Sequence, residues 1–291
     1  MAFTTSNLIS SVQRRAFLPT NQQTFSEEAI LAIGDEAVKS RILPNIMAVR
    51  EEFFVHPIDQ TIVAGTAAYN IHSRSVGLIV REVQIIDSAG AITDLPRIEP
   101  ETVDTTVTGS VDSFYLRNNQ IILHKTPSSS PGTLRQQIFL RPGEMVLTTA
   151  AGLISSIDTG LNTVTVSSIP STWATGNIFD FVKQDGGHEY LAIEYTSTDV
   201  TSNVITFASL PSTLRVGDYV ALKGQTPLVQ LVPDYQPALA QLIAADMLEW
   251  MNQPGASKAK ERAEKMLEAA QYSITPRVHG ENRVVTPVNW F

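Results

Sequence analysis

The chain of 291 residues contains no cysteine, so disulfides, thiolate metal sites and cysteine nucleophiles are excluded. Charge is also scarce. Asp, Glu, Lys and Arg make up 17% of the residues, against about 25% in an ordinary soluble domain. What charge there is leans acidic: 21 Lys and Arg face 29 Asp and Glu, for a formal net charge of −8. This argues against a protein whose main task is to hold nucleic acid, because that affinity comes mostly from cations neutralising phosphates. There is no apolar run of the 18 residues or so that a membrane helix needs, and residues 1–17 lack a secretory h-region. The expectation is a soluble chain made in the cytoplasm, with no membrane partner.

Catalytic signatures are missing as well. The five histidines, His56, His72, His124, His188 and His279, lie on separate segments, with no HxxxH or HExxH spacing to set two rings on one helical face. No GxSxG, P-loop or GxGxxG occurs, so acyl transfer and nucleotide chemistry have no support. The nearest approach to a catalytic cluster is Asp185-Gly186-Gly187-His188-Glu189, and Gly-Gly between strands is first a hairpin signal. Asp180 with Asp185 or Glu189 is the conceivable glycosidase pair. The expectation is a chain that is not an enzyme, with no cofactor and no metal.

What the chain has instead is 43% apolar residues and 52 Ser and Thr, enough apolar surface for packed cores beneath a hydroxyl-rich exterior. The first 55 residues pattern as helix. A short helix is expected over about 6–15, opening at Thr5 or Ser6 as N-cap. A second opens at Ser26, with Ile30, Ile33, Ala37 and Val38 at helical spacing. Glu27 and Glu28 sit where the helix dipole favours anions. Pro44 is expected to kink or split this helix, whose continuation through Ile46, Val49, Phe53 and Phe54 ends at His56-Pro57. From Ile58 the period shifts toward two. Strands are expected over Tyr69–His72, Leu78–Ile86, Ser113–Arg117, Gln120–Lys125 and Leu134–Leu140, with Asn118-Asn119 as a hairpin turn.

A repeat follows at an offset of 41 residues. Ser156, Asp158, Asn162, Thr165, Ser168, Pro170, Ser171, Thr172 and Gly176 recur as Ser197, Asp199, Asn203, Thr206, Ser209, Pro211, Ser212, Thr213 and Gly217. Each copy reads strand, turn, strand, Pro loop, strand. Two copies can close into a small barrel or sandwich that buries faces neither half could bury alone. The last stretch returns to helix. Pro237 stands in a first turn, Leu239, Leu242, Ile243, Met247, Leu248 and Met251 form one stripe, and Pro254-Gly255 precedes a second helix over about 257–272. Met247, Trp250 and Met251 read as core rather than ligand cleft. Beyond Ser273 lies a tail that combines Arg277 and Arg283 with Trp290-Phe291, cation and aromatic anchors on a segment without a core.

The fold class is therefore α+β and multidomain. A helical core of residues 1–55 and 228–273 carries a β-domain at 56–151 and an inserted β-barrel or sandwich at 152–224, and an extended arm spans 274–291. In this order, with its Ala-rich second helix and the basic Pro276-Arg277, the chain resembles the head-to-tail adaptor (connector, head completion) proteins of tailed bacteriophages. The resemblance rests mainly on residues 5–55 and 233–291. It implies a structural virion protein at the neck: a dodecameric ring beneath the portal, carrying the tail nozzle or a tail-terminator protein and letting double-stranded DNA pass unbound. It further implies that Arg277, Arg283, Val288, Trp290 and Phe291 form a portal-binding arm. Glu27, Glu28, Asp35 and Glu36 are the candidate channel-lining acids, since an acidic lumen repels DNA. The alternative from another class is a tail adhesin binding host-surface glycans through its β units, which requires exposed aromatic platforms.

Overall fold

The computed structural model describes residues 3–18, 24–100, 107–130, 132–184 and 192–275, with the side chains of 192–195 excepted. Helix α1 spans Thr5–Arg15. Its N-cap is Thr4, one residue earlier than the pattern predicts, whose hydroxyl accepts from the Asn7 amide. Helix α2, Glu27–Ala37, starts at Ser26 as expected, with the Ser26 hydroxyl accepting from Ala29 at 3.2 Å. The effect of Pro44 is felt upstream. Proline has no N–H to give Ser40, and the chain widens into a π-helical turn, Val38–Ile42, before helix α3, Leu43–Met47, begins with Pro44 in its first turn. The expected continuation to Phe54 is thus interrupted. Helix α3 ends at Met47, and a separate 3₁₀ turn, Glu51–Phe54, buries Phe54.

Helices α4, Gln236–Trp250, and α5, Ala256–Ile274, form the C-terminal hairpin. Helix α5 runs through Ile274, which is buried, so this residue belongs to the helix and not to the expected arm. One apolar cluster joins Leu8 and Val12 of α1, Ile30 and Ile33 of α2, Ile46 of α3, Ile243 and Met247 of α4, and Ala263 of α5. Backbone bonds stitch the two sequence ends together: Thr5 N–H donates to Pro227 and Val229 N–H donates to Phe3.

Between these ends, strands β1 (Val55–Thr61), β3 (Ser75–Asp87), β4 (Ile92–Asp94) and β9 (Gly132–Leu140) form an antiparallel sheet in the order β1-β9-β3-β4. His56-Pro57 was expected to end a helix and instead lies within β1. Pro57 is tolerated there because β1 is an edge strand. A second sheet orders β2 (Ala68–Asn70), β7 (Gln120–His124) and β6 (Ser113–Arg117) as β2-β7-β6. Asn118, at φ 54°, makes the predicted β6–β7 turn. Thr108–Gly109 (β5) pairs with Thr126–Pro127 (β8), and Val83, Phe114, Ile121 and Leu134 are among the residues filling the space between the sheets.

Strands β11 (Gly152–Asp158), β12 (Thr163–Val166), β13 (Ile178–Val182), β14 (Ala192–Thr201), β15 (Val204–Phe207) and β16 (Tyr219–Leu222) close into a barrel in the order β11-β12-β15-β14-β13-β16. Val164 lies opposite Ile205, and Asp180 opposite Ala221. Ser156 pairs with Thr165, whereas Thr206 pairs with Asp199. The identities Ser156/Ser197 and Asp158/Asp199 therefore do not occupy matching places: the first hairpin turns through 159–162 and the second through Ser202 and Asn203 alone. Val164, Phe179, Phe181, Ile205 and Phe207 form the barrel core, with Trp173 edge-on to Phe179 at 4.8 Å.

The barrel is fastened to the rest. Short strands β10 (Glu144–Met145) and β17 (Gln225–Thr226) pair in parallel where the chain leaves for the barrel and returns. Arg74, just before β3, reaches the fully buried Asp180 of β13 at 2.6 Å and also donates to the Arg141 carbonyl. Around this ion pair, Ile138, Leu140, Ala151, Val182, Ala221 and Leu228 form a separate apolar cluster.

Candidate functional site: two charged faces of the helical unit

Helix α1 ends in Arg14 and Arg15, where cations complement the exposed carbonyls of a helix C-terminus. The chain then turns at Phe17, which has φ 55° and is 91% exposed. Across from it, Gly255 at φ 122° lets the chain swing from α4 into α5. The first turns of α5 present Lys258 and Arg262, four residues apart and so on one face. The four cations rim a groove of about 740 Å³ floored by Leu248 and Met251, and among the described residues no carboxylate lines it. Arg15 is held in place by donating to Gln241 Oε1 at 3.0 Å, while Gln241 donates to the Ala259 carbonyl. Burial, and then the positive fields of Arg262 and Arg14, push the Arg15 pKa below its ordinary value.

On the other side of α4 lies a second, smaller cleft of about 370 Å³, lined by Glu36 of α2, Arg41, and Asp246, Glu249 and Trp250 of α4. Burial raises the Asp246 pKa. Glu249 and Glu36 push the same way, against Arg41 and Lys260. Arg41 stands 3.7 Å from Asp246, and Lys260 reaches Glu249 at 3.3 Å. Trp250 is 62% exposed and stacks on Phe25 with centroids 6.3 Å apart.

The predicted site residues divide. Glu27, Glu28 and Glu36 are exposed on α2, as a channel-lining role requires. Asp35 is not: it is buried, and both carboxylate oxygens accept from the Met145 amide at 3.1 Å, so its part is to join α2 to β10. Asp35 lies beside Leu31 and Val38, on a side of α2 that β10 covers, where only a donor from another element allows a carboxylate. The arm residues Arg277, Arg283, Val288, Trp290 and Phe291 lie outside the described residues, as do Asp185, His188 and Glu189. Of the Met and Trp stripe, Met247 is core, Met251 lines the groove and Trp250 is exposed.

Asp180, the conceivable glycosidase acid, is shut away from solvent in its pair with Arg74. His56 is kept neutral by burial, then by Arg74 and His72, its pKa pushed down to about 4. His124 bonds Asp112 and Ser113 on the surface of the β-domain. Among the described residues, no group of three or more His, Asp or Glu is placed to hold a metal ion, and no helix is long and apolar enough to cross a membrane. Trp173, Phe179, Phe181 and Phe207 of the barrel all point into its core. The cationic groove was not anticipated, although Arg14-Arg15 at a helix end and Lys258/Arg262 at i,i+4 spacing were signals for it. No protein-family model matches the chain, and no curated protein matches it.

Proposed function

We propose that the chain is a structural subunit of a phage neck, a head-to-tail adaptor that assembles as a dodecameric ring between portal and tail and lets DNA pass. The observation that carries this reading is the packing of residues 3–18, 24–54 and 228–275 into one helical unit, with both β units inserted between them. These are the stretches on which the adaptor resemblance rests. A ring subunit needs a rigid body with lateral faces, and the buried Arg74–Asp180 pair, together with the apolar cluster around it, supports rigidity. Among the described residues of the barrel, Trp173, Phe179, Phe181 and Phe207 turn inward, which favours this reading over glycan adhesion. In the same reading the barrel is a duplicated unit whose copies meet at Val164/Ile205 and Asp180/Ala221, each residue facing its counterpart at the 41-residue offset. Residues 276–291 carry the portal contact, and the side of the ring away from the portal meets the tail nozzle or terminator.

The test is negative-stain electron microscopy of the purified chain mixed with the portal protein of its own phage. Portals bearing an added ring of density are expected. Portals left bare at high chain concentration would defeat the adaptor reading. Removing 276–291 is expected to abolish the attachment while leaving circular dichroism unchanged, and a truncated chain that still decorates portals would take the arm out of the mechanism.

A further inference from the structure

The two charged faces of the helical unit have opposite sign and lie on opposite sides of one helix. Gln241, Leu248 and Met251 turn toward the cationic groove, and Asp246, Glu249 and Trp250 toward the acidic cleft. At 3.6 residues per turn the mean directions of these two sets differ by about 160°. A surface paired with its own copy across a two-fold axis must be self-complementary, and neither face is: among the described residues one gathers four cations and no carboxylate, the other three carboxylates against Arg41 and Lys260. Complementary faces on opposite sides of a subunit join head to tail.

We propose that the cationic groove of one copy, Arg14, Arg15, Lys258 and Arg262, receives the acidic α2–α4 face of a second copy, Glu36, Asp246 and Glu249. The closure of such contacts into a ring rests on the adaptor reading, while the contact itself rests on the charges. The cationic face is strained by its own like charges in the free chain, since Arg262 and Arg14, after burial, disfavour the charge on Arg15. On the acidic face burial disfavours the charge on Asp246, while Arg41 and Lys260 favour it more than Glu249 and Glu36 oppose it. Docking relieves the crowding of cations, and the potentials steer encounter. Each face also has an exposed aromatic beside it, Phe17 at 91% and Trp250 at 62%, the residue type that anchors interfaces once desolvated.

The absence of native cysteine makes the test direct. In the full chain, Arg262→Cys and Glu249→Cys are made singly and together, then treated with a short thiol-reactive cross-linker, alone and on portals. The double variant is expected to give a ladder of multimers. Each single variant is expected to stay monomeric, and an equal mixture of the two to stop at dimers. Dimers from either single variant alone would show a two-fold contact and overturn the proposal, as would the lack of a ladder from the double variant.

Charge reversal supplies the second arm. Lys258→Glu with Arg262→Glu, or Glu36→Lys with Glu249→Lys, is expected to weaken self-association at least about tenfold, and mixing the two reversed chains to restore it. Restoration shows that both variants fold. Self-association unmoved by either reversal overturns the proposal. A DNA duplex bound by the native chain and lost by the Lys258/Arg262 reversal, with no ladder, would assign the groove to nucleic acid instead. Rings on portals without cross-links keep the adaptor reading and reject these faces; a ladder from a chain that ignores portals keeps the faces and rejects the adaptor.

Discussion

Asp35 is buried and His56 half-buried, and the two titratable groups respond to acid in opposite directions. The Asp35 carboxyl is raised by burial from 3.8 to about 6, even though the Met145 amide favours its charge. Between those values the native chain holds a proton that the unfolded chain has released, so stability falls as pH rises through the window, by about 3 kcal/mol in all. His56 is lowered from 6.5 to about 4. Between those values the unfolded chain holds the extra proton, so this contribution is lost as pH falls from about 6.5 toward 4. The two slopes overlap and offset each other. Asp35→Asn, which keeps an acceptor for Met145, is expected to make the chain more acid-sensitive, and His56→Gln to make it more stable at pH 4.5 than at 7. Urea midpoints at the two pH values for the three chains check this; identical profiles would mean that neither group is shifted. The inward position of Asp35 was not legible in the sequence, because its partner amide belongs to a strand more than a hundred residues away.

Elements whose partners are local were read nearly to the residue. Ser113–Arg117 and Gln120–His124 alternate with a period of two around an Asn-Asn turn, and everything needed to specify that hairpin lies within it. Elements that exist through distant pairing were missed. The edge strand Val55–Thr61 contains a proline and gains its order from β9, and the two-residue strands β10 and β17 make sense only beside each other. The cationic groove escaped for the same reason, since α1 and α5 supply its cations from the two ends of the chain. Gly132 shows how strict such a distant pairing is. At φ 142°, a Cβ on it would stand 2.0 Å from the Ile86 carbonyl oxygen of β3, a backbone atom that moves only with the strand. Gly132→Ala is expected to cost at least about 3 kcal/mol, seen as a lowered urea midpoint, whereas Gly90→Ala, with open space around its Cβ, pays only for its positive φ. Equal losses in the two variants would show that strain at φ, and not the close approach of β3 and β9, sets the cost.

Across the whole molecule the question is whether the barrel is an independent body or part of one cooperative unit. Its strands close on themselves, and the buried core formed by its described residues is its own. Residues 151–224 expressed alone are therefore expected to fold. They would fold less stably than in the chain, since Ala151, Val182 and Ala221 lose their cover and Asp180 loses Arg74. The ion pair couples the bodies: Arg74→Met leaves a fully buried carboxylate without its cation, which costs about 3–5 kcal/mol, and the loss falls on the barrel side of the joint. Trp173, 7% exposed within the barrel, reports on that body when Trp250 and Trp290 are replaced by Phe. In that background Arg74→Met is expected to lower the Trp173 fluorescence transition toward that of the isolated fragment, while the helical signal in circular dichroism melts near its original temperature. If both signals drop together by the same amount, the chain unfolds as one unit and the barrel has no independent stability; if neither moves, the apolar cluster alone holds the joint and the buried pair adds nothing to it.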